Sequence, residues 1–166
     1  MINEDRKVVN GLLHINLPCG PTAYYKLTNL KLAKDIYQHG RPSDHSPEII
    51  LNKFTTRMGH RVAHMFASLF APNPQFRGRR VVTFHNQRDF IFVRHHRYIF
   101  DEKQKVQGNE KKPKRVTARL QELGPQFTLR LLSLQASIFD SKNGTYVWKR
   151  DVEGKSSDKI RRKFAL

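Results

Sequence analysis

Arg94, His95, His96 and Arg97 stand in an unbroken row inside the segment RRVVTFHNQRDFIFVRHHRYIF (residues 79–100), which is otherwise rich in phenylalanine, valine and isoleucine. Guanidinium groups grip phosphate in forked geometry and stack on bases, and imidazole and phenol rings add stacking surface and hydrogen bonds. The chemistry open to such a row is the holding of a polyanion. In an extended strand Phe90, Phe92, Arg94, His96, Tyr98 and Phe100 share one side, and Ile91, Val93, His95, Arg97 and Ile99 share the other. Each side is apolar at its ends and cationic in the middle, and a buried strand does not tolerate four unpaired cations. RNA is the expected partner. Phe90, Phe92 and Phe100 are read as core residues.

Constellations for bond-making chemistry are scarce. His60 and His64 have the i, i+4 spacing of metal ligands, but the residue after His60 is Arg61, where a hydrolytic zinc motif carries glutamate. Phe76-Arg77-Gly78-Arg79 is too short and too basic for a phosphate-cradling glycine loop. Asp89, Asp101 and Glu102 flank a basic strand, where charge balance explains them better than two-metal nuclease chemistry. Cys19, the single cysteine, excludes an internal disulfide and a cysteine-rich zinc site and fits a reducing compartment. Neither a catalytic residue nor a cofactor is expected.

Net charge points the same way. The chain carries 31 Lys and Arg against 14 Asp and Glu, a formal +17 over 166 residues, with a pI near 10.4. Such self-repulsion calls for a compensating anion: nucleic acid, an anionic membrane or an acidic protein. Membrane is the weakest choice, because there is no apolar run near eighteen residues and no charged-then-apolar leader. Residues 77–119 hold thirteen cations against four acids, a local +9. If about six of them reach phosphates, affinity for single-stranded RNA falls with salt at a log-log slope of roughly −4.

The elements that must present these residues read as follows. Residues 9–17 and 22–27 alternate around Pro18-Cys19-Gly20-Pro21 and predict a hairpin. Residues 29–47 are polar and predict a connector from one lobe to another, with a turn of helix near 31–37. A short strand at Ile49, Ile50 and Leu51 precedes a helix capped by Thr55 or Thr56, with Met58, Val62, Met65, Phe66 and Leu69 at helical spacing, ended by Pro72 and Pro74. Strands over 79–84 and 89–100 flank a turn at 85–88. Residues 101–115 have little to bury and predict a mobile loop. Residues 116–123 and 127–134 are apolar-rich around Gly124-Pro125, the second read as a strand, and a last strand spans 145–149 after Asn143-Gly144. Arg161, Arg162 and Lys163 close a basic tail.

GPTAYYKLTNLKLAKDI, HGRPSDHSPEIILNKFTTRMGHRVAHMFASLF, FRGRRVVTFHNQRDFIFVRHHRYIF and LQELGPQFTLRLLSLQ resemble consecutive blocks of the Brix-domain family. The resemblance spans nearly the whole chain. It implies an α/β fold of two similar halves related to the anticodon-binding domain of class IIa aminoacyl-tRNA synthetases. It implies a first half that is incomplete, with residues 1–46 as its last part, residues 47–150 as the second half and residues 151–166 as a tail. It further implies a nucleolar, non-enzymatic factor that binds precursor ribosomal RNA in the pre-60S particle during large-subunit maturation, paired with another assembly protein. The family's sigma-seventy-like segment, held to bind RNA, corresponds to residues 79–134. Two departures stand out: Gln126 occupies the place of the arginine in the family's Gly-Pro-Arg-Phe element, and the loop at 104–114 is long. The expected RNA-facing residues are Arg79, Arg80, Arg88, Arg94, His95, His96, Arg97 and Arg130, with Arg57 and Arg61 as a second set from the helix. An intrinsic ribosomal protein and, less favoured, an RNA-processing enzyme are the alternatives.

Overall fold

The computed structural model describes residues 1–103, 106–107, 110–111, 115–140, 143–150 and 166. Nine strands form one sheet. They are β1 (Ile2–Asp5), β2 (Val8–Ile15), β3 (Thr22–Lys31), β4 (Glu48–Asn52), β5 (Arg80–Gln87), β6 (Phe90–Lys103), β9 (Arg115–Glu122), β10 (Gln126–Gln135) and β11 (Tyr146–Lys149). The order is β1-β2-β3-β10-β6-β5-β4, with β9 beside β6 and β11 beside β10, while β7 (Val106–Gln107) and β8 (Glu110–Lys111) pair with each other. Among the described strands only β4 and β5 run parallel, as their connection through helix α1 (Arg57–Ala67) requires.

Helix α1 covers one face of the sheet. Its Val62, Met65 and Phe66 are buried against Phe84, Ile91, Leu129 and Tyr25, and the Phe66 ring stacks on Phe84 with centroids 4.5 Å apart. The opposite side of the helix carries Arg57, His60, Arg61 and His64, all exposed. Thr56 caps the helix by accepting from the Gly59 amide at 2.8 Å, as its sequence position predicts.

β6 is the organising strand. Its first residues lie between β5 and β10 (Phe127 across from Val93, Arg130 across from Phe90), and its later ones pair with β9 (His96 across from Glu122). β9 and β10 therefore follow one another along the same side of β6. Gly124 joins them at φ +71°, and a Cβ there would stand 2.9 Å from the Ala33 Cα, so glycine is required. β3 pairs along its length with β10, which places the strands before residue 46 and those after residue 47 in one sheet. Among the described residues no helix is long and apolar enough to cross a membrane.

Several boundaries differ from expectation. The helix stops at Ala67, well short of Pro72, because its last turn tightens into Leu69-to-Phe66 and Phe70-to-Ala67 backbone bonds, which leaves Leu69 60% exposed. The turn expected at 85–88 is strand over 85–87: Gln87 pairs with Phe90, and Arg88 and Asp89, both at positive φ, make the turn. The loop expected over 101–115 is shorter, since β6 runs through Lys103, β9 opens at Arg115, and β7 and β8 intervene. Residues 104–105, 108–109 and 112–114 lie outside the described residues, as does the basic tail with Arg161, Arg162 and Lys163. The β2–β3 hairpin, β4, β10 and β11 form close to where the sequence puts them.

Candidate nucleic-acid interface

Strand alternation divides the cationic row two and two. Ile91 and Val93 point into the core under α1, so His95 and Arg97 share that side and Phe90, Phe92, Arg94 and His96 take the other. Registration extends this second face across the sheet. Arg94 lies opposite Thr83, Phe92 opposite His85 and Thr128, and Phe90 opposite Gln87 and Arg130. Arg130 in turn lies opposite Lys26, and Thr128 opposite Thr28.

This face is open at Phe90 and Lys26 and more closed at its centre, where Thr128 is buried and Phe92, Arg94, His96 and Arg130 are half-buried. Phe90 is 39% exposed and Phe100 59%, and Lys26 is exposed. Reading Phe90 and Phe100 as core is thus overturned: their parity carries them away from the helix that supplies the core. Phe92 is only half-buried. The Arg130 guanidinium lies over the Phe90 ring at 5.0 Å, a cation–π contact, and its Nε has no hydrogen-bond partner among the described residues. Arg94 Nη1 donates to the Val93 carbonyl at 2.8 Å and the Phe127 carbonyl at 3.4 Å, which orients the guanidinium across the strand. An acid stands within this face: Glu122 lies directly across from His96, its Oε1 buried without a hydrogen-bond partner among the described residues. Glu48 accepts the Tyr98 hydroxyl, a bond that raises the Tyr98 pKa, helped by desolvation and by the Glu48 charge. Lys26 escaped sequence reasoning, although Tyr24, Lys26 and Thr28 alternate with the buried Ala23, Tyr25 and Leu27 in the signal that would have placed it.

On the helix side the cations are engaged differently. Arg80 Nη1 donates to the carbonyls of Ser43 and, at 2.8 Å, His45, while its Nε donates to His95 Nε2 at 3.2 Å. His95 Nδ1 then carries the hydrogen and donates to the Gly124 carbonyl at 2.9 Å. Burial lowers the His95 pKa, and the Arg80 and His96 charges lower it further, against the raising effect of the Gly124 bond. Arg80 and His95 thus tie the connector after β3 and the β9–β10 joint to the sheet. Arg97 is exposed and borders a cleft of about 800 Å³ with Tyr37, His39 and Gln121.

The ten expected residues therefore do not form one surface. Arg94, His96 and Arg130 share the open face. Arg57 and Arg61 lie on the outer side of α1, over the other face, and Arg79 and Arg88 are exposed in the turns at the two ends of β5. What the open face can do is hold an anionic chain along β6 and β10, with flat rings beside the cations. No cluster of three or more metal-binding side chains occurs among the described residues.

Comparison with known proteins adds an independent finding. The Brix domain model matches residues 1–133. The chain is 53% identical to ribosome production factor 1 of Mus musculus, covering 100% of the chain and 44% of that protein. It is 52% identical to ribosome production factor 1 of Danio rerio, over 100% of the chain and 46% of that protein. Against probable ribosome production factor 1 of Drosophila melanogaster the identity is 56%, over 89% of the chain and 35% of that protein. The chain spans less than half the length of these relatives.

Proposed function

We propose, given that the chain belongs to the Brix-domain family, that it is a non-enzymatic assembly factor which grips precursor ribosomal RNA during maturation of the large ribosomal subunit. The coarse part, a role in ribosome biogenesis, is supported by what its relatives are called. The finer part is our reading. It places the molecule in the nucleolus, on the pre-60S particle, beside a second assembly protein. It also treats residues 1–46 and 47–150 as parts of two similar halves, akin to the anticodon-binding domain of class IIa aminoacyl-tRNA synthetases.

One observation carries RNA binding: Lys26, Arg94, His96 and Arg130 occupy the same side of the sheet, the one that carries no helix among the described residues, beside Phe90 and Phe92, in register across three strands. Lys26 is exposed there, whereas Arg80 is committed to the carbonyls of Ser43 and His45. Base edges and faces remain accessible to the rings, which suits RNA better than a purely electrostatic tail would.

Crosslinking of the full chain in cells, followed by sequencing of bound RNA and by gradient sedimentation, tests the reading. The expected result is crosslinks to precursor ribosomal RNA in particles that mature into the large subunit. Co-sedimentation with finished ribosomes would instead mark an intrinsic ribosomal protein.

A further inference from the structure

We infer that the open face takes unpaired RNA, with nucleobases stacked on Phe90 and Phe92, and that it discriminates against duplex. This rests on the proposed RNA reading and adds to it the class of RNA recognised. Three observations carry it.

The first is exposure of rings where a solvated strand has no need of them. Phe90 is 39% exposed, on the same side as Arg94 and His96. A ring that does not complete the core loses water contact only when something planar or apolar covers it. The second is spacing. Same-face side chains along β6 stand about 6.7 Å apart, twice the ~3.4 Å rise between stacked bases. Bases held in a continuous duplex stack cannot each meet successive rings at that interval. An extended single strand, whose bases splay apart, can place one base per ring. The third is the Arg130 guanidinium 5.0 Å over Phe90. It occupies one face of the ring and holds the ring in one orientation, so a base stacks on the opposite face of a platform that is already ordered.

Charge selects the occupant. Lys26, Arg94 and Arg130 stand beside the rings, while the acids of this face lie farther along, Glu122 directly across from His96 and Glu48 bonded to Tyr98. An apolar protein helix would leave these cations without counter-charge, whereas a nucleotide strand supplies a phosphate with each base. A duplex would meet the cations with its backbone and keep its base faces out of reach of the rings.

The test is a binding titration of the full chain at one salt concentration, with a fluorescent oligouridine and with an RNA duplex of equal length. Phe90→Ala is expected to weaken oligouridine binding by roughly 5- to 150-fold and to change duplex binding by less than about twofold. Phe90→Leu, which retains apolar bulk without the ring, should lose as much, and Phe90→Tyr should bind like the original chain; together they separate stacking from a folding defect. Equal loss on both RNAs overturns the preference for unpaired strands. Unchanged oligouridine affinity in Phe90→Ala, with weakened binding in Arg94→Gln, overturns stacking while the RNA-binding face stands. If the original chain binds neither RNA, or Phe90→Ala abolishes only capture of an acidic protein partner, both this inference and the RNA reading fall.

Discussion

Arg94 and His95 are neighbours in the chain and opposites in environment. One projects from the open face; the other is wedged between Arg80 and the Gly124 carbonyl and is held neutral by burial and nearby cations. His14 is lowered in the same direction, chiefly by its burial. The sign follows directly. Below the ordinary imidazole value of 6.5 the unfolded chain binds these protons more readily than the folded one, so stability is complete above that pH and falls as pH drops through it. Urea midpoints at pH 7.5 and 5.5 should show a lower midpoint at pH 5.5, and His95→Gln should shrink the difference. A higher midpoint at pH 5.5 would contradict this assignment. Tyr25 gives a second prediction. Its side chain is fully buried, with no hydrogen-bond partner for the hydroxyl among the described residues, and burial pushes its phenol pKa up. Tyr25→Phe should leave stability unchanged or raise it by up to about 1 kcal/mol, since no hydrogen bond is lost. Loss of more than about 1 kcal/mol in chemical denaturation would reveal a partner for the hydroxyl.

At the scale of elements, the β5–β6 hairpin shows where sequence patterns stop. Asn86 looks like a turn residue yet is buried in β5, its side-chain amide donating to the Lys53 carbonyl at 2.9 Å. The actual turn, Arg88-Asp89, lacks the Asn-Gly or Asp-Gly signature that usually announces two left-handed residues. What fixes it is distant in sequence: the buried Asp89 carboxylate accepts from Arg150 Nη2 and from the Leu166 amide, each at 3.0 Å. Asp89→Asn is therefore expected to destabilise by about 2 kcal/mol, because the half-buried Arg150 guanidinium loses its buried counter-charge. A change within about 0.5 kcal/mol in a denaturant titration would show that the turn does not depend on this tie. Elements fixed by local signals were legible: Thr56 before an amphipathic run, alternation in residues 127–134, and Asn143-Gly144 before β11. The split of the cationic row was legible as well, but not which half faces the helix. Both parities of β6 carry apolar and cationic residues, and only packing of Phe66 and Phe84 decides between them. Phe90 was missed for the same reason, whereas Lys26 was legible in the alternation of β3.

For the whole molecule, the +17 charge is unevenly useful. Arg80 and Arg150 serve the fold, Arg57 and Arg61 look outward from α1, and Arg94, His96, Arg130 and Lys26 converge on one open sheet face. Generic attraction would treat all of these alike, whereas a built interface ranks them by face. The most direct measurement is RNA affinity across a salt series for two charge-matched double variants, Arg94→Gln with Arg130→Gln on the open face and Arg57→Gln with Arg61→Gln on the helix. If the open face is the interface, the first pair weakens binding at every salt concentration and makes the log-log slope shallower by roughly 1.4, while the second leaves both nearly unchanged. Equal losses from the two pairs, or a larger loss from the helix pair, would contradict it.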